Sequence, residues 1–148
     1  MPLSRSQFES ELVPGKVLYF SCEELGTLEP HFFICIVRQP DDIIVLSCGT
    51  SQFNTVMKLI ERKRFPNETL VFIPAEDGTN PFSKDTYINC NEYFPYDISE
   101  LWDMYDLGRL AIRGDIAQDS LHQIILGFHK SPIIEYEVKE MLPDPDSF

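Results

Sequence analysis

The chain has 148 residues and a formal net charge of −12, from 12 Lys and Arg against 24 Asp and Glu. This length suits a single domain, residues 1–148, which can bury a core without disulfides or metal ions. The excess of negative charge argues against non-specific binding to nucleic acid or membrane surfaces, because both need cations to neutralise phosphates. No stretch has the apolar length of a membrane span, and the first residues lack the apolar run of a secretory signal. We therefore expect a cytoplasmic protein with no membrane partner.

The cysteines are widely spaced and lie mostly inside apolar runs. No CxxC pair or Cys/His ligand spacing is present, so neither a disulfide framework nor a metal site is predicted, and no cofactor is expected. Free cysteine behaves as a small hydrophobic residue and is commonly buried. We expect buried, reduced thiols at Cys22, Cys35, Cys48 and Cys90.

Strand signals dominate the first half of the chain. The β-branched and aromatic run HFFICIVR at 31–38 is bounded by Pro30 and Pro40 and is too short for an independent helix. The turn residues QPDD at 39–42 follow it, so 43–48 is predicted to return as its antiparallel partner. In chain order, strands are predicted at 17–20, 31–38, 43–48, 69–73 and 86–90.

Helix signals follow the third strand and then dominate the second half. Apolar residues recur every three or four positions in 53–63, which is typical of a short amphipathic helix. Serines in N-cap positions and later Gly or Pro stops bound two of the others, and Asp115 or its neighbours open the third. The predicted helices cover 53–63, about 99–107, about 115–128 and 131–142, with Ser99 and Ser131 as N-caps and Gly108 and Pro143 as stops.

These elements predict an α+β fold. Several short consecutive strands with tight connections are typical of a small antiparallel β-barrel, here at about 14–92. The helical portion, about 97–142, would cover one side or mouth of that barrel. No linker composition or internal repeat divides the chain, and the final residues, PDPDSF, are predicted to be an untethered tail.

His31 is the first candidate for chemistry. It lies where a loop enters an apolar strand, and histidine is the side chain that titrates closest to neutral pH. The alternative is a boundary histidine that bonds to the backbone. The other two, His122 and His129, are seven residues apart on a predicted helix, about 10 Å along its axis, which is too far for joint ligation of one metal.

The segment Cys48-Gly49-Thr50-Ser51-Gln52 is the second candidate. Gly49 permits close backbone approach, while Thr50, Ser51 and Gln52 supply hydroxyl and amide donors for a phosphate or oxyanion. A helix that begins directly afterwards would add its N-terminal amides and dipole. The alternative is that Thr50 or Ser51 merely caps that helix.

A basic island interrupts the acidic chain. The sequence KLIERKR, from Lys58 to Arg64, holds four cations and one anion. It follows the second candidate directly and would line a path for a polyanion. The alternative is a solvated helix face without a binding role.

The order of these segments resembles the MazF/PemK toxin family. The resemblance is carried by GKV before the first strand, PHFFICI into the second and TSQ after the third, and it covers about 14–142. It implies an SH3-like barrel with metal-independent endoribonuclease activity on single-stranded RNA. It also implies an antitoxin protein as partner and a homodimer. An uncharacterised branch of that family is similar in its C-terminal portion and carries Pro-His-aromatic in place of Arg-Pro.

The family's site residues transfer only in part. Its Thr-Ser pair falls on Thr50 and Ser51, whereas its arginine position is occupied by Pro30-His31. The resemblance therefore implies His31 as the general acid or base and leaves cationic stabilisation to Arg38 or Arg62. The RNA-binding residues it implies are Gln52, Lys58, Arg62 and Arg64.

Two other functions remain open from the sequence. The same barrel could be a non-catalytic protein-binding module with an acidic face complementary to a basic partner. An acidic protein could also mimic nucleic acid and block a partner that handles DNA or RNA.

Overall fold

The computed structural model describes residues 2–26, 28–75, 80–144 and 146. The predicted tail lies partly outside these residues, as does Gly78 of the loop predicted before the last strand. The helices are α1 (Arg5–Glu11), α2 (Phe53–Lys63), α3 (Ile98–Asp106), α4 (Gln118–Lys130) and α5 (Tyr136–Met141). The strands are β1 (Lys16–Phe20), β2 (His31–Arg38), β3 (Ile43–Thr50), β4 (Leu70–Ile73), β5 (Thr86–Asn89), β6 (Phe94–Asp97) and β7 (Leu110–Asp115).

The strands form one antiparallel sheet of seven, in the order β4-β5-β3-β2-β1-β7, with β6 paired to β3 outside this path. The predicted α+β class is confirmed, as is the antiparallel pairing of β2 with β3. The sheet is not closed, because β4 and β7 are separate end strands. The structure therefore has an open sheet where the sequence predicted a barrel.

Strand β3 occupies the centre of this sheet. Its first half, Ile43 to Leu46, pairs with β6, and its last residues, Gly49 and Thr50, pair with β5. Its other edge pairs with β2. The strand extends two residues beyond the predicted end at Cys48, and this extension carries Thr50 into the sheet.

Side-chain alternation along these strands produces two cores, one on each face of the sheet. Ile34 of β2 belongs to the first core, in which Ile124 and Phe128 of α4 are buried. Its neighbour Phe33 belongs to the second core, which also buries Phe8 of α1 and Leu101 of α3. Helices therefore cover both faces of the sheet. No helix in the described ranges is long and apolar enough to cross a membrane.

Several element boundaries differ from the sequence prediction. The predicted bounds of β2 and α2 are confirmed, and so is the stop at Gly108, which has a φ of +75°. Helix α3 begins one residue before Ser99, because Asp97 is its N-cap and forms a capping box with Glu100. Elements α1, β6 and β7 were missed, and β7 lies inside the portion predicted to be helical.

The predicted start of the last helix at Ser131 and Pro132 is wrong, since α5 begins at Tyr136. Ser131 is fully buried, and its hydroxyl donates to Asn91 Oδ1 at 2.7 Å. The same hydroxyl accepts from the backbone N–H of Ile133 at 3.3 Å. The serine is therefore the C-cap of α4 and part of a buried polar network, and it is not the N-cap of the last helix.

Helix α4 lies very close to the sheet at Gly127. A Cβ at this position would be 2.7 Å from Cys90 Sγ and 2.9 Å from the carbonyl oxygen of Glu68. Neither neighbour is the free end of a flexible side chain. Only glycine fits this contact without a shift of the helix.

We expect Gly127→Ala to lower the free energy of unfolding by about 1–3 kcal/mol, because the added methyl group overpacks the contact between helix and sheet. Urea unfolding followed by circular dichroism measures the change. Gln123→Ala, at an exposed position on the same helix, is the control and should stay within about 0.5 kcal/mol of wild type. A Gly127→Ala protein as stable as this control would contradict the close packing.

Candidate functional site

The first and last residues of two neighbouring strands bring His31 and Thr50 together. Phe32 of β2 pairs with Gly49 of β3. Continuing this register by one residue sets His31 opposite Thr50, and residues opposite each other share a face of the sheet. Both line the same cleft, together with Ser51 and Gln52. The structure thus gathers the predicted catalytic residues, and Gln52, where the central strands β2 and β3 begin and end.

This first cleft, which we call the aromatic cleft, has a volume of about 260 Å³. Phe32 lines it, with its ring centroid 4.7 Å from that of Tyr19 and 5.0 Å from that of Phe82, two other lining residues. Ser83 and Lys84 lie at the polar side of the cleft. The lining therefore combines aromatic rings with hydroxyl-bearing residues, one lysine and one glutamate, Glu29.

A second cleft, which we call the α2 cleft, has a volume of about 340 Å³ and also contains His31 and Thr50. Side chains of α2 line one part of it, and the end of β5 and the residues beyond it line another. Its apolar lining is Leu25, Val56 and Leu59, and its polar lining includes Cys48, Thr55, Arg62, Asn89 and Glu92. His31 and Thr50 consequently lie at the boundary between two clefts.

The His31 ring is oriented by its own backbone neighbourhood. Its Nδ1 lies 3.0 Å from the carbonyl oxygen of Glu29. A carbonyl oxygen only accepts, so Nδ1 carries the hydrogen and donates it. In the neutral ring Nε2 is then the basic nitrogen. The backbone bond expected of a boundary histidine is present, and it leaves the second nitrogen available for proton transfer.

Thr50 is held by the chain that follows it. Its Oγ1 accepts from the backbone N–H of Gln52 at 3.1 Å, so the hydroxyl hydrogen can be donated elsewhere. The N-cap of α2 is Gln52, which makes no side-chain capping bond. The interpretation that Thr50 or Ser51 caps this helix is therefore wrong. The N-terminal amides of α2, without a side-chain cap, lie beside the hydroxyls and favour a negative charge there.

Gly49 allows β5 to approach β3 next to these residues. A Cβ at Gly49 would lie 2.7 Å from Cγ2 of Thr86, which is buried on β5. Thr86 also lines the aromatic cleft. The close approach predicted for Gly49 is therefore a strand-to-strand contact that shapes one wall of that cleft.

The basic island lies on α2 and just beyond it. Lys58, Arg62, Lys63 and Arg64 are exposed, and none is in an ion pair with another described residue. Arg62 lines the α2 cleft, whereas Lys58 and Arg64 line neither cleft. Their positive charge is thus available to a polyanion.

Arg38 is at the wrong end of its strand to supply a cation at His31. The strand rises about 3.3 Å per residue, which separates the two by about 23 Å. The Arg38 guanidinium donates to Asp42 at 3.0 Å, across the turn that joins β2 and β3. Lys84 is the cation that lines the aromatic cleft, and no sequence signal indicated it because it lies far from both motifs along the chain.

The remaining histidines and the cysteines lie apart from this chemistry. His122 and His129 are half-buried on α4 and line neither cleft. Within the described ranges, no group of three or more His, Cys, Asp or Glu could hold a metal ion. The predicted burial is confirmed for Cys22, Cys35 and Cys90, while Cys48 is half-buried.

Burial also makes three of these thiols, Cys35, Cys48 and Cys90, poor nucleophiles. Desolvation raises the pKa of Cys48 to about 12, although this thiol lines the α2 cleft. It raises the pKa of Cys35 to about 12 as well and raises that of Cys90 further. Because the thiolate is the reactive form, Cys48 contributes to the shape of the cleft and not to covalent catalysis.

Comparison with models of known protein families gives no match to this chain, and a search of curated proteins gives none either. The resemblance to the MazF/PemK family therefore stays a prediction that depends on the short motifs around His31 and Thr50. A function for the two clefts has to be argued from their geometry and chemistry.

We expect Glu92→Gln to stabilise the protein slightly at neutral pH; Glu92 is an exposed residue whose carboxyl is partly desolvated. Desolvation raises the pKa of Glu92 in the folded protein, so the ionised carboxylate costs stability once the pH exceeds that pKa. The thermal midpoint of the variant should lie above that of wild type at pH 7. The difference should shrink as the pH is lowered from the raised pKa towards about 4.3, and it should vanish below this pH because the carboxyl is then protonated in both the folded and the unfolded chain.

Glu61→Gln, at an exposed position of α2, is the matched control for this pH series. Loss of stability in Glu92→Gln at pH 7 would mean that the ionised carboxylate is favourably paired in the folded protein.

Proposed function

We propose that this chain is a MazF/PemK-like, metal-independent endoribonuclease that cleaves single-stranded RNA in the cytoplasm, with His31 as its general base. One observation supports this above the others: His31 and Thr50 share the boundary between two clefts. The pair comes from adjacent strand ends, so the sheet itself holds it in place. A phosphodiester at this boundary could extend one nucleotide into each cleft.

The sheet topology is compatible with an SH3-like barrel that has opened. Strands β1, β2 and β3 pair consecutively and antiparallel, and β3 then pairs with both β5 and β6. Small barrels contain such consecutive antiparallel pairings, and they differ from this sheet in that their first and last strands also pair. We relate the open sheet to the barrel on this basis.

The proposed reaction uses the ribose 2′-hydroxyl as the nucleophile. His31 Nε2 takes the 2′-hydroxyl proton, and the 2′-oxygen attacks phosphorus. The bond from phosphorus to the 5′-oxygen breaks, and the departing oxygen is protonated by water. The products are a 2′,3′-cyclic phosphate and a 5′-hydroxyl. Because Nδ1 donates to the Glu29 carbonyl, the ring presents its basic nitrogen and can also hold the proton it accepts.

Donors around Thr50 would stabilise the charge that develops on the phosphate. The Thr50 hydroxyl is free to donate, Ser51 is exposed beside it, and the amides of the α2 N-terminus follow. Donors held in place before reaction are a major source of transition-state stabilisation. Lys84 and Arg62, one in each cleft, supply the cationic charge that the family's arginine would provide.

Local charge offers RNA a route to an acidic protein. The net charge of −12 opposes polyanion binding, and at 0.1 M salt exposed charges act over about 10 Å. The cations of the basic island lie on the helix that begins at the site and just beyond its end, and none is in an ion pair with a described residue. Gln52, Lys58, Arg62 and Arg64 are the residues we propose to contact RNA. An antitoxin protein and a second copy of the chain are the proposed partners.

We expect His31→Ala to lower the cleavage rate by about 10²–10⁴-fold, because it removes the general base. Purified protein is incubated in EDTA with a long single-stranded RNA, and fragments and their cyclic-phosphate ends are followed by gel electrophoresis and end-group analysis. His129→Ala, on α4 and outside both clefts, is the control and should cleave like wild type. If folded His31→Ala cleaved RNA at the wild-type rate, the proposed site would be wrong.

We expect Thr50→Val to lower the single-turnover rate by about 10²–10³-fold, as does loss of one donor to a developing oxyanion. Valine keeps the shape of threonine and removes only the hydroxyl. Thr50→Ser restores the hydroxyl and should recover most of the rate in the same assay. A Thr50→Val protein as active as Thr50→Ser would exclude the hydroxyl from the reaction.

An exposed aromatic cluster favours a second candidate, the non-catalytic protein-binding module. Tyr87 of β5 has its ring centroid 5.2 Å from that of Phe72 and 5.0 Å from that of Phe53. Phe72 is 48% exposed on β4, an end strand of the sheet, where an extended segment of a partner could pair. Wild-type protein that leaves RNA intact but binds a partner, with binding weakened by Phe72→Ser, would support this function.

A further inference from the structure

The α2 cleft contains polar groups that the cleavage chemistry does not use. His31 and Thr50 are at its boundary, but Asn89, Glu92 and Arg62 also line it. The ligand that we infer for these three side chains is the nucleotide next to the scissile phosphate, so this inference rests on the proposed function.

Asn89 is oriented by a buried hydrogen-bond network. Its Oδ1 accepts from the backbone N–H of Asn91 at 3.0 Å and from Asn91 Nδ2 at 2.9 Å. Asn91 is itself buried, and it bonds to Thr69 Oγ1 at 2.8 Å and to the Ser131 hydroxyl at 2.7 Å. The network therefore fixes which end of the Asn89 amide is engaged.

The other end of the amide is left for the cleft. Asn89 Nδ2 makes no hydrogen bond with the described residues, although the side chain is only 7% exposed. In the part of the chain that the structure describes, the single buried side-chain polar atom without a partner is Ser47 Oγ. Asn89 Nδ2 consequently opens to solvent, and the cleft that Asn89 lines is where a ligand atom can accept from it.

Glu92 and Arg62 carry opposite charges in this cleft without pairing. Neither side chain takes part in an ion pair among the described residues. The Glu92 carboxyl is partly desolvated, which raises its pKa. An acceptor of this kind gains from a ligand that donates two hydrogens to it. The apolar side chains of Leu25, Val56 and Leu59 line the same cleft and suit a flat ring.

We propose that the α2 cleft is a guanine-binding subsite. Guanine presents two adjacent donors, N1–H and the 2-amino group, which both carboxylate oxygens of Glu92 accept. Its O6 accepts from Asn89 Nδ2, and Arg62 contacts O6 or the adjoining phosphate. Adenine, cytosine and uracil lack two adjacent donors at one edge, so each forms fewer bonds with the carboxylate.

The position of the subsite determines where RNA would be cut. A guanine in the α2 cleft has its own phosphodiester beside His31 and Thr50, because these two residues line the cleft as well. Cleavage is then expected next to guanosine. The aromatic cleft receives the neighbouring base by stacking on Phe32, which tolerates any base.

The subsite is tested by binding, so that the outcome does not depend on cleavage. Fluorescence anisotropy compares short uridine oligomers that carry one guanine, one adenine or one hypoxanthine at the centre, with His31→Ala protein used to prevent cleavage. Hypoxanthine differs from guanine only in lacking the 2-amino group. We expect the guanine oligomer to bind about ten-fold or more tightly than the other two.

The same comparison in His31→Ala/Glu92→Gln protein should abolish the preference for guanine over hypoxanthine, because the amide offers one acceptor in place of two. Glu61→Gln in the same background is the control and should keep the preference. Equal binding of the three oligomers, or a preference that survives Glu92→Gln, would overturn the subsite.

The cleavage pattern separates this inference from the proposed function. Cleavage that depends on His31 but shows no preference for guanosine would overturn the subsite and leave the ribonuclease assignment intact. Guanine-dependent binding by a wild-type protein that does not cleave RNA would retain the subsite and overturn the ribonuclease assignment.

Discussion

Hydrogen bonding along both edges of β3 is the constraint on which the rest of the structure depends. One edge pairs with β2, and the other is divided between β6 at Ile43–Leu46 and β5 at Gly49–Thr50. A strand bonded on both sides cannot shift its register without losing two ladders at once. This fixes Thr50 at the end of β3 next to the start of β2, where His31 lies. The boundary of the two clefts is therefore a consequence of the sheet.

A few small or polar residues allow β5 and β6 to share the same edge of β3. Gly49 lets Thr86 of β5 approach, and the chain then turns at Asn91 before β6 begins. Asn91 is buried, and its bonds to Asn89, Thr69 and Ser131 join the end of β5 to the start of β4 and to the end of α4. A buried amide needs such partners, because each unmet bond costs about 1–3 kcal/mol. The network thus supports the fold and orients the Asn89 side chain.

Charge and function are distributed unevenly over this frame. The end of β3, the N-terminus of α2 without a side-chain cap and the cations of the basic island follow one another along an otherwise acidic chain. Hydrogen bonds to the backbone hold the side chains of Thr50 and His31 in place before any ligand binds. A site prepared in this way loses little free energy in reorganisation when an anion binds.

By itself, the sequence determined the α+β class, the bounds of β2 and α2, and the two segments that supply His31 and Thr50. These features depend on local patterns: runs of β-branched residues, helical spacing of apolar residues, and turn residues between them. It did not reveal β6, β7 or the true start of α5. Pairing with β3 stabilises β6, and pairing with β1 stabilises β7. The buried hydrogen bond of Ser131 to Asn91 keeps this serine from being the N-cap of α5. Only the tertiary structure brought Lys84, Asn89 and Glu92 to the clefts, because contacts between distant strands leave no periodic signal in the sequence.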